Sequence, residues 1–206
     1  MTVRSYDRRL QLLLSAAART FAERGFHATS MRDLSRASGM SLAGIYHYVA
    51  SKQELLFLIQ DRCFEKVIAG AREAVLAETD IEAKVTAFVR HHVVFFAGHM
   101  HEMKVLSHEA EQLQGTMRQQ IVQRKREYVA ILGNLLEQPG LTYQPVSHLA
   151  AVWSAFGMIN WIYTWYKPTG QVSPAQLGEE MATVLLRGIG APKAAIPESA
   201  PPGHPG

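Results

Sequence analysis

Apolar residues in this chain recur at steps of three and four, and almost nowhere at steps of two. Leu10, Leu13, Leu14, Ala17, Ala18 and Phe21 set the pattern. Such spacing lines one face of a helix of about 3.6 residues per turn, whereas a half-buried strand needs strict alternation. No convincing alternating run of β-branched residues bounded by turns occurs. The expected fold class is therefore all-α. Hydrophobic residues fill 48% of the 206 positions, enough for a core, so wholesale disorder is excluded. No run reaches the ~18 uninterrupted apolar residues of a membrane span. The charged start, Met1 to Arg9, leads into an amphipathic segment rather than a signal-peptide core. Cys63 is the only cysteine, so no intrachain disulfide forms. A cytoplasmic location is expected.

Glycines, prolines and capping residues divide the chain into about nine helices. The first is expected from about Asp7 to Arg24, stopped by Gly25. Two very short segments follow. Thr29 or Ser30 caps the first, and Ser30 with Asp33 has the form of a capping box with Asp in place of Glu. Gly39 ends it. Ser41 caps the second, which runs to about Tyr48. Ser51 caps a long helix from Lys52 to about Ala77. Five more are expected, roughly 81–98, 100–113, 116–137, 145–166 and 174–188, with Pro145 and Pro174 in first turns that tolerate proline. After Gly190 the chain is rich in Ala, Pro and Gly, and a disordered tail over 191–206 is expected.

Charge is unevenly placed. Residues 1–52 carry eight Lys and Arg against three acids, while the remaining 154 carry 13 against 15. A basic first quarter fits either a solvated surface or an end that meets a polyanion. The two short helices bear on the choice. Helices of one or two turns do not stand alone in water, so they must pack on their longer neighbours. Leu34 and Ala37 from one, with Ile45 and Val49 from the other, are spaced to share a small core, and Gly39 allows a tight left-handed link. That is the arrangement of a helix-turn-helix, whose second helix can enter a major groove.

The segment Thr29-Ser30 … Ala37-x-Gly39 … Ser41-x-Ala43-Gly44-Ile45-Tyr46 … Ser51-Lys52, with Phe21-x-x-x-Gly25-Phe26 upstream, resembles the DNA-binding domain of TetR-family transcriptional regulators. The resemblance implies a DNA-binding domain over 1–52 and a ligand-binding and dimerisation domain over 53–190. It implies a homodimer joined through the last two helices, on a palindromic operator released by a small effector. Tyr46 and Lys52 match the family's phosphate-contacting positions, and Arg32 one that often reaches a base edge. Ser30 and Ser41 stand at helix starts, where hydroxyls and free N–H groups favour anions. Leu42, Ala43, Gly44 and His47 complete the candidate DNA-binding set. Leu42 departs from the polar or basic residue common there, and His47 and Tyr48 stand where an aromatic and a histidine are usual. A core aromatic is the bland alternative for Tyr46, and a solvated face for Arg36.

The stretch Val146–Tyr166 is apolar nearly all round, which implies burial on several sides. The last helix supplies a narrow stripe, Leu177, Met181, Val184, Leu185 and Ile189, suited to a two-fold four-helix bundle. The candidate ligand-binding residues are Phe95, Phe96, His99, Met103, Trp153, Phe156, Gly157, Asn160 and Trp161. Asn160, polar in an apolar helix, needs a partner: a ligand, another helix or the partner subunit. Arg118, Arg124, Lys125 and Arg126 make a basic face on one helix. From there to Asn160-Trp161-x-Tyr163-x-Trp165-Tyr166-Lys167-Pro168 the chain resembles the acyl-CoA-sensing branch of the family. That implies CoA phosphates on Arg118 and Arg124 and an acyl group in an aromatic cavity.

Two other readings have some footing. His91, His92, His99, His101 and His108, near Glu102 and Glu109, could make a metal sensor, although His92/His99 and His101/His108 are seven apart rather than the four that share a helical face. An enzyme is disfavoured, since no nucleophile elbow, phosphate-binding glycine loop or zinc-protease helix is present. Cys63, among Leu58, Ile59, Phe64 and Val67, reads as a buried inert thiol. No cofactor is expected.

Overall fold

The computed structural model describes residues 3–141 and 146–190, and all regular structure among them is helical. In chain order the elements are α1 (Val3–Arg24), α2 (Met31–Ser38), α3 (Leu42–Tyr46), α4 (Lys52–Leu76), α5 (Ile81–Ala97) and α6 (Met100–His108). A 3₁₀ turn (Ala110–Gln112) follows, then α7 (Gly115–Leu136), α8 (His148–Asn160), α9 (Ile162–Trp165) and α10 (Pro174–Gly190). The all-α expectation holds. The expected helix start at Pro145 and the expected tail over 191–206 lie outside the described residues.

Helix α1 buries the stripe read from the sequence but starts one turn before Asp7. The reason is tertiary: Tyr6 packs its ring on Tyr48, with centroids 4.7 Å apart, so the extra turn has something to hold. Gly25, at φ +81°, ends the helix and donates its N–H to Phe21 O at 2.8 Å. Ser30 rather than Thr29 caps α2. Its Oγ accepts the Asp33 N–H at 3.2 Å, and the Asp33 carboxylate accepts the Ser30 N–H at 2.9 Å. Thr29 is buried and donates its hydroxyl to Gly25 O. Gly39, at φ +68°, turns the chain into α3, where Ser41 Oγ accepts the Gly44 N–H at 3.0 Å. Leu34, Ile45 and Val49 are buried and Ala37 half-buried, as the shared small core requires.

Helix α4 runs about 37 Å at 1.5 Å per residue and joins the two ends of the molecule. It packs on α1 and α6 and, more extensively, on α5 and α7. On the other side α10 lies along α5. A Cβ at Gly178 would sit 2.6 Å from Arg90 Cα, so this approach of α10 to α5 needs glycine.

Three helix expectations are corrected. The segment expected over 100–113 is α6 followed by the 3₁₀ turn. The segment expected to run to Tyr166 breaks at Trp161, where the N–H and hydroxyl of Thr164 both donate to Trp161 O, at 3.1 and 2.7 Å, and tighten the turn. It is also not buried all round. Ala151, Val152, Ala155, Phe156 and Ile159 face the core, while Leu149 is 68% and Trp153 51% exposed. On α10, Leu177, Met181 and Leu185 are buried within the chain instead of forming a free stripe, and Val184 is 62% exposed. The outward apolar surface of these two helices is therefore built from Leu149, Trp153 and Val184.

Candidate nucleic-acid interface and ligand cavity

Helices α2 and α3 present Arg32, Ser41, Leu42, Ala43, Tyr46 and His47 outward, with Gly44 half-buried between them. Tyr46 is 52% exposed, which removes the core-aromatic reading. His47 is exposed but rests its ring edge-on against Tyr6 and Tyr48. Ser30 is committed to its cap, with N–H and hydroxyl both on Asp33. Asp33 also holds Arg36, three residues on, and lies 3.7 Å from Arg24, so part of the basic surface is neutralised there. The hydrogen bonds from Ser30 hold the Asp33 carboxyl far below the usual carboxylate range, with Arg36 adding to the effect.

Lys52 turns most of its hydrogen-bonding capacity inward. Its Nζ donates to Phe26 O and Thr29 O, both at 2.7 Å, and lies 4.3 Å from the Phe26 ring centroid. Partial burial lowers its pKa, with Glu109 pulling the other way. Two of its three donors thus close the α1–α2 turn, and one remains.

The same turn is bonded to the far domain. Phe26 N–H donates to Glu109 Oε1 at 3.1 Å, and His27 Nε2 pairs with Gln112 Oε1 at 2.5 Å. Gln53, at the start of α4, donates to Gln112 O at 2.9 Å. The connector after α6 therefore touches the reading head directly.

Behind that connector lies a cavity of about 640 Å³ between α4, α5, α6, α7 and α8. Phe64, Phe96, Met103 and Phe156 give it an apolar floor. Lys125, Glu111, Asn160 and Trp161, all exposed, lie at its mouth. His92 and Tyr128 are the buried polar groups in its wall, joined by a 2.9 Å bond between Nδ1 and the phenol oxygen. Burial lowers the His92 imidazole to about 3, helped by His91, and raises the Tyr128 phenol well above its usual value. Both are neutral at ordinary pH.

Of the expected ligand-binding residues, Phe96, Met103, Trp153, Phe156, Gly157, Asn160 and Trp161 come together here. Phe95 and His99 do not. One residue along a helix turns the side chain by about 100°, and they face a separate cleft of about 410 Å³ against α1. There they stack on each other at 4.3 Å. Arg124 is held by Asp61 at 2.9 Å, and Arg118 is exposed away from the cavity; the basic residue that lines it is Lys125. Asn160 is exposed at the mouth, not buried in want of a partner. His92 and Tyr128 were missed as cavity residues. The signal was Phe88, His92 and Phe96 at four-residue steps, which puts one histidine on an otherwise aromatic face.

Among the described residues no three His, Cys, Asp or Glu side chains converge as a metal-ligand set. His91 lies against Gly70, where a Cβ would be 2.4 Å from its ring, and His92 is bonded to Tyr128. Burial pushes the Cys63 thiol above its usual range, as expected of an unreactive core cysteine.

Residues 13–59 match the family described as bacterial regulatory proteins, tetR family, and residues 78–189 match the tetracyclin repressor-like C-terminal domain. The HTH-type transcriptional repressor KstR2 of Mycobacterium tuberculosis is 24% identical over 183 residues, spanning 86% of this chain and 90% of that protein. AibR, solved in complex with isovaleryl coenzyme A and operator DNA, is 30% identical with a TM-score of 0.74, over 89% of this chain and 99% of that one. A TetR-family transcriptional regulator from Bordetella parapertussis 12822 is 27% identical with a TM-score of 0.79, over 86% and 93%. The helix-turn-helix and the helical body behind it thus match one family, and the chain belongs to the TetR family of transcriptional regulators, DNA-binding proteins rather than enzymes.

Proposed function

We propose that this protein is a cytoplasmic homodimeric repressor that leaves a palindromic operator when an acyl-CoA thioester enters the cavity behind α5. The observation that carries the effector class is the cavity itself. Its volume lies within the usual range for small-molecule sites, its floor is aromatic, and Lys125 stands at its mouth. An acyl group suits the floor, and a phosphorylated carrier suits a mouth with a free ammonium. AibR, bound to isovaleryl coenzyme A, and the fatty acid metabolism regulator protein of Bacillus subtilis, 22% identical over 86% of this chain, lend the reading support.

In this reading residues 1–52 read DNA and 53–190 sense and dimerise. Arg32, Leu42, Ala43, Gly44 and His47 face bases, while Ser30, Ser41, Tyr46 and the remaining donor of Lys52 face phosphates. Dimerisation uses the outward apolar face of α8 and α10, placing two copies of α3 about 34–36 Å apart, one turn of duplex. The effector acts as a population shift, favouring the dimer whose heads no longer match that spacing.

The test is retention of an operator duplex, taken from upstream of the protein's own gene, in a gel-shift titration. An acyl-CoA series from two to sixteen carbons should contain members that release the DNA, while free CoA at equal concentration should not. If no thioester in the series changes retention, the effector class is wrong.

A further inference from the structure

We infer that His92 is the specificity residue of the cavity, and that its Nε2–H donates a hydrogen bond to the carbonyl oxygen of an uncharged acyl thioester. The inference rests on the acyl-CoA reading above and adds which atom of the ligand is read.

The argument starts from a proton count. Tyr128 is buried, and among the described residues its hydroxyl meets one partner, His92 Nδ1 at 2.9 Å. A buried phenol keeps its proton and donates it where an acceptor exists. Nδ1 accepting the phenol proton leaves the imidazole proton on Nε2; the reverse arrangement would strand the buried phenol proton as well. The Ile159 backbone also bears on the ring, but outside hydrogen-bond geometry of Nε2. Yet Nε2 is fully buried, and among the described residues no acceptor lies within hydrogen-bond geometry of it. The residue lines the cavity, between Phe96 and Phe156, whose ring centroids lie 4.7 and 6.3 Å from its own. An unpaired donor in an aromatic wall is costly unless something arrives to accept from it.

What arrives is constrained by charge. His92 stays neutral because burial opposes its protonation, and so does Tyr128. Among the described residues Lys125, Glu111 and the titratable His108 line the cavity, and all three are exposed at the mouth. A carboxylate against His92 would be buried without a cation, which is strongly unfavourable. A thioester carbonyl offers the acceptor without the charge. The wall thus separates a thioester from the free acid of the same chain, and from a ligand that lacks the carbonyl altogether.

The experiment compares three ligands on the full-length protein by quenching of tryptophan fluorescence: the tightest-binding acyl-CoA of the series, its S-alkyl thioether with CH₂ in place of C=O, and the free acid. Wild type should bind the thioester roughly ten- to a hundred-fold more tightly than the thioether, and the free acid more weakly than the thioester. H92F should bind thioester and thioether alike. Y128F, which keeps the shape and frees Nδ1 to hold the proton, should lose most of the same preference; it serves where thermal denaturation shows H92F misfolded. Equal binding of thioester and thioether by wild type, or a preference kept in both variants, overturns the role of His92 alone. Failure of wild type to bind any acyl-CoA overturns the effector class and this inference with it.

Discussion

Glu109 accepts the backbone N–H of Phe26 at 3.1 Å, joining residues 83 apart in sequence. Its neighbours Ser107, His108 and Glu111 line the cavity, and its own carbonyl takes Gln60 at 3.5 Å. One short connector therefore touches both the cavity and the turn from which α2 departs.

Glu109→Ala should weaken the link between the two ends. A charge-assisted bond to a backbone N–H is lost, at roughly 1–2 kcal/mol for a partly exposed pair. Effector affinity should stay within a few-fold, while the drop in operator affinity caused by effector shrinks. Titrating DNA with and without effector checks both. An unchanged ratio would show that coupling runs elsewhere, along α4 in particular.

Tyr46 and Lys52 should separate under mutation although the family places both on phosphate. Tyr46 is exposed and packs on little, so Tyr46→Phe should leave stability within about 0.5 kcal/mol while weakening operator binding. Lys52→Ala strands the Phe26 and Thr29 carbonyls and should cost about 1–3 kcal/mol of stability. It should also lower the salt slope of DNA binding by about one. Paired urea denaturation and salt-titrated anisotropy measure the two effects. A Lys52→Ala protein as stable as wild type contradicts the internal role.

Stability should fall on mild acidification. The folded-state value of His92 is about 3 against an ordinary 6.5, so between these limits the unfolded chain binds the proton and the folded chain does not. Stability is whole above pH 6.5 and is lost as pH drops toward 3. At pH 5 the loss from His92 alone is about 2 kcal/mol. His91, also lowered by burial, acts in the same direction. Denaturation midpoints from pH 7.5 to 5 test this, and H92F should flatten the curve. A flat wild-type curve would mean that the ring is not buried in solution.

The pair of substitutions Leu149→Glu and Val184→Glu should convert a dimer to a monomer. Both side chains point away from their own core, so the fold should persist. Sedimentation velocity reads the mass directly. A dimer that survives both charges must be joined by another face.

Much of the head was legible because its signals are local. The Ser30–Asp33 box, the caps at Ser41 and Ser51, and the glycines at 25 and 39 each act within a few residues, and each stands where the sequence puts it. The cavity was legible only as a list of aromatics. Phe95 and Phe96 look equal in sequence, and only the rotation of α5 against α1 and α7 decides that one faces the cavity. The inward donors of Lys52 are illegible for a related reason: nothing local to a helix start shows that the Phe26 and Thr29 carbonyls fold back onto its ammonium. The α10 stripe suits an intersubunit bundle in sequence because burial within a chain and burial between chains leave the same periodic mark.

Helix α3 holds five residues, of which Ile45 is buried while Leu42, Ala43 and Tyr46 face outward. One side chain seats the element and the rest have no packing duty. Replacements at the outward positions cost the fold almost nothing, so a duplicated copy of this chain can drift to a new target sequence without passing through an unfolded ancestor. The same economy leaves Ile45 nearly immovable.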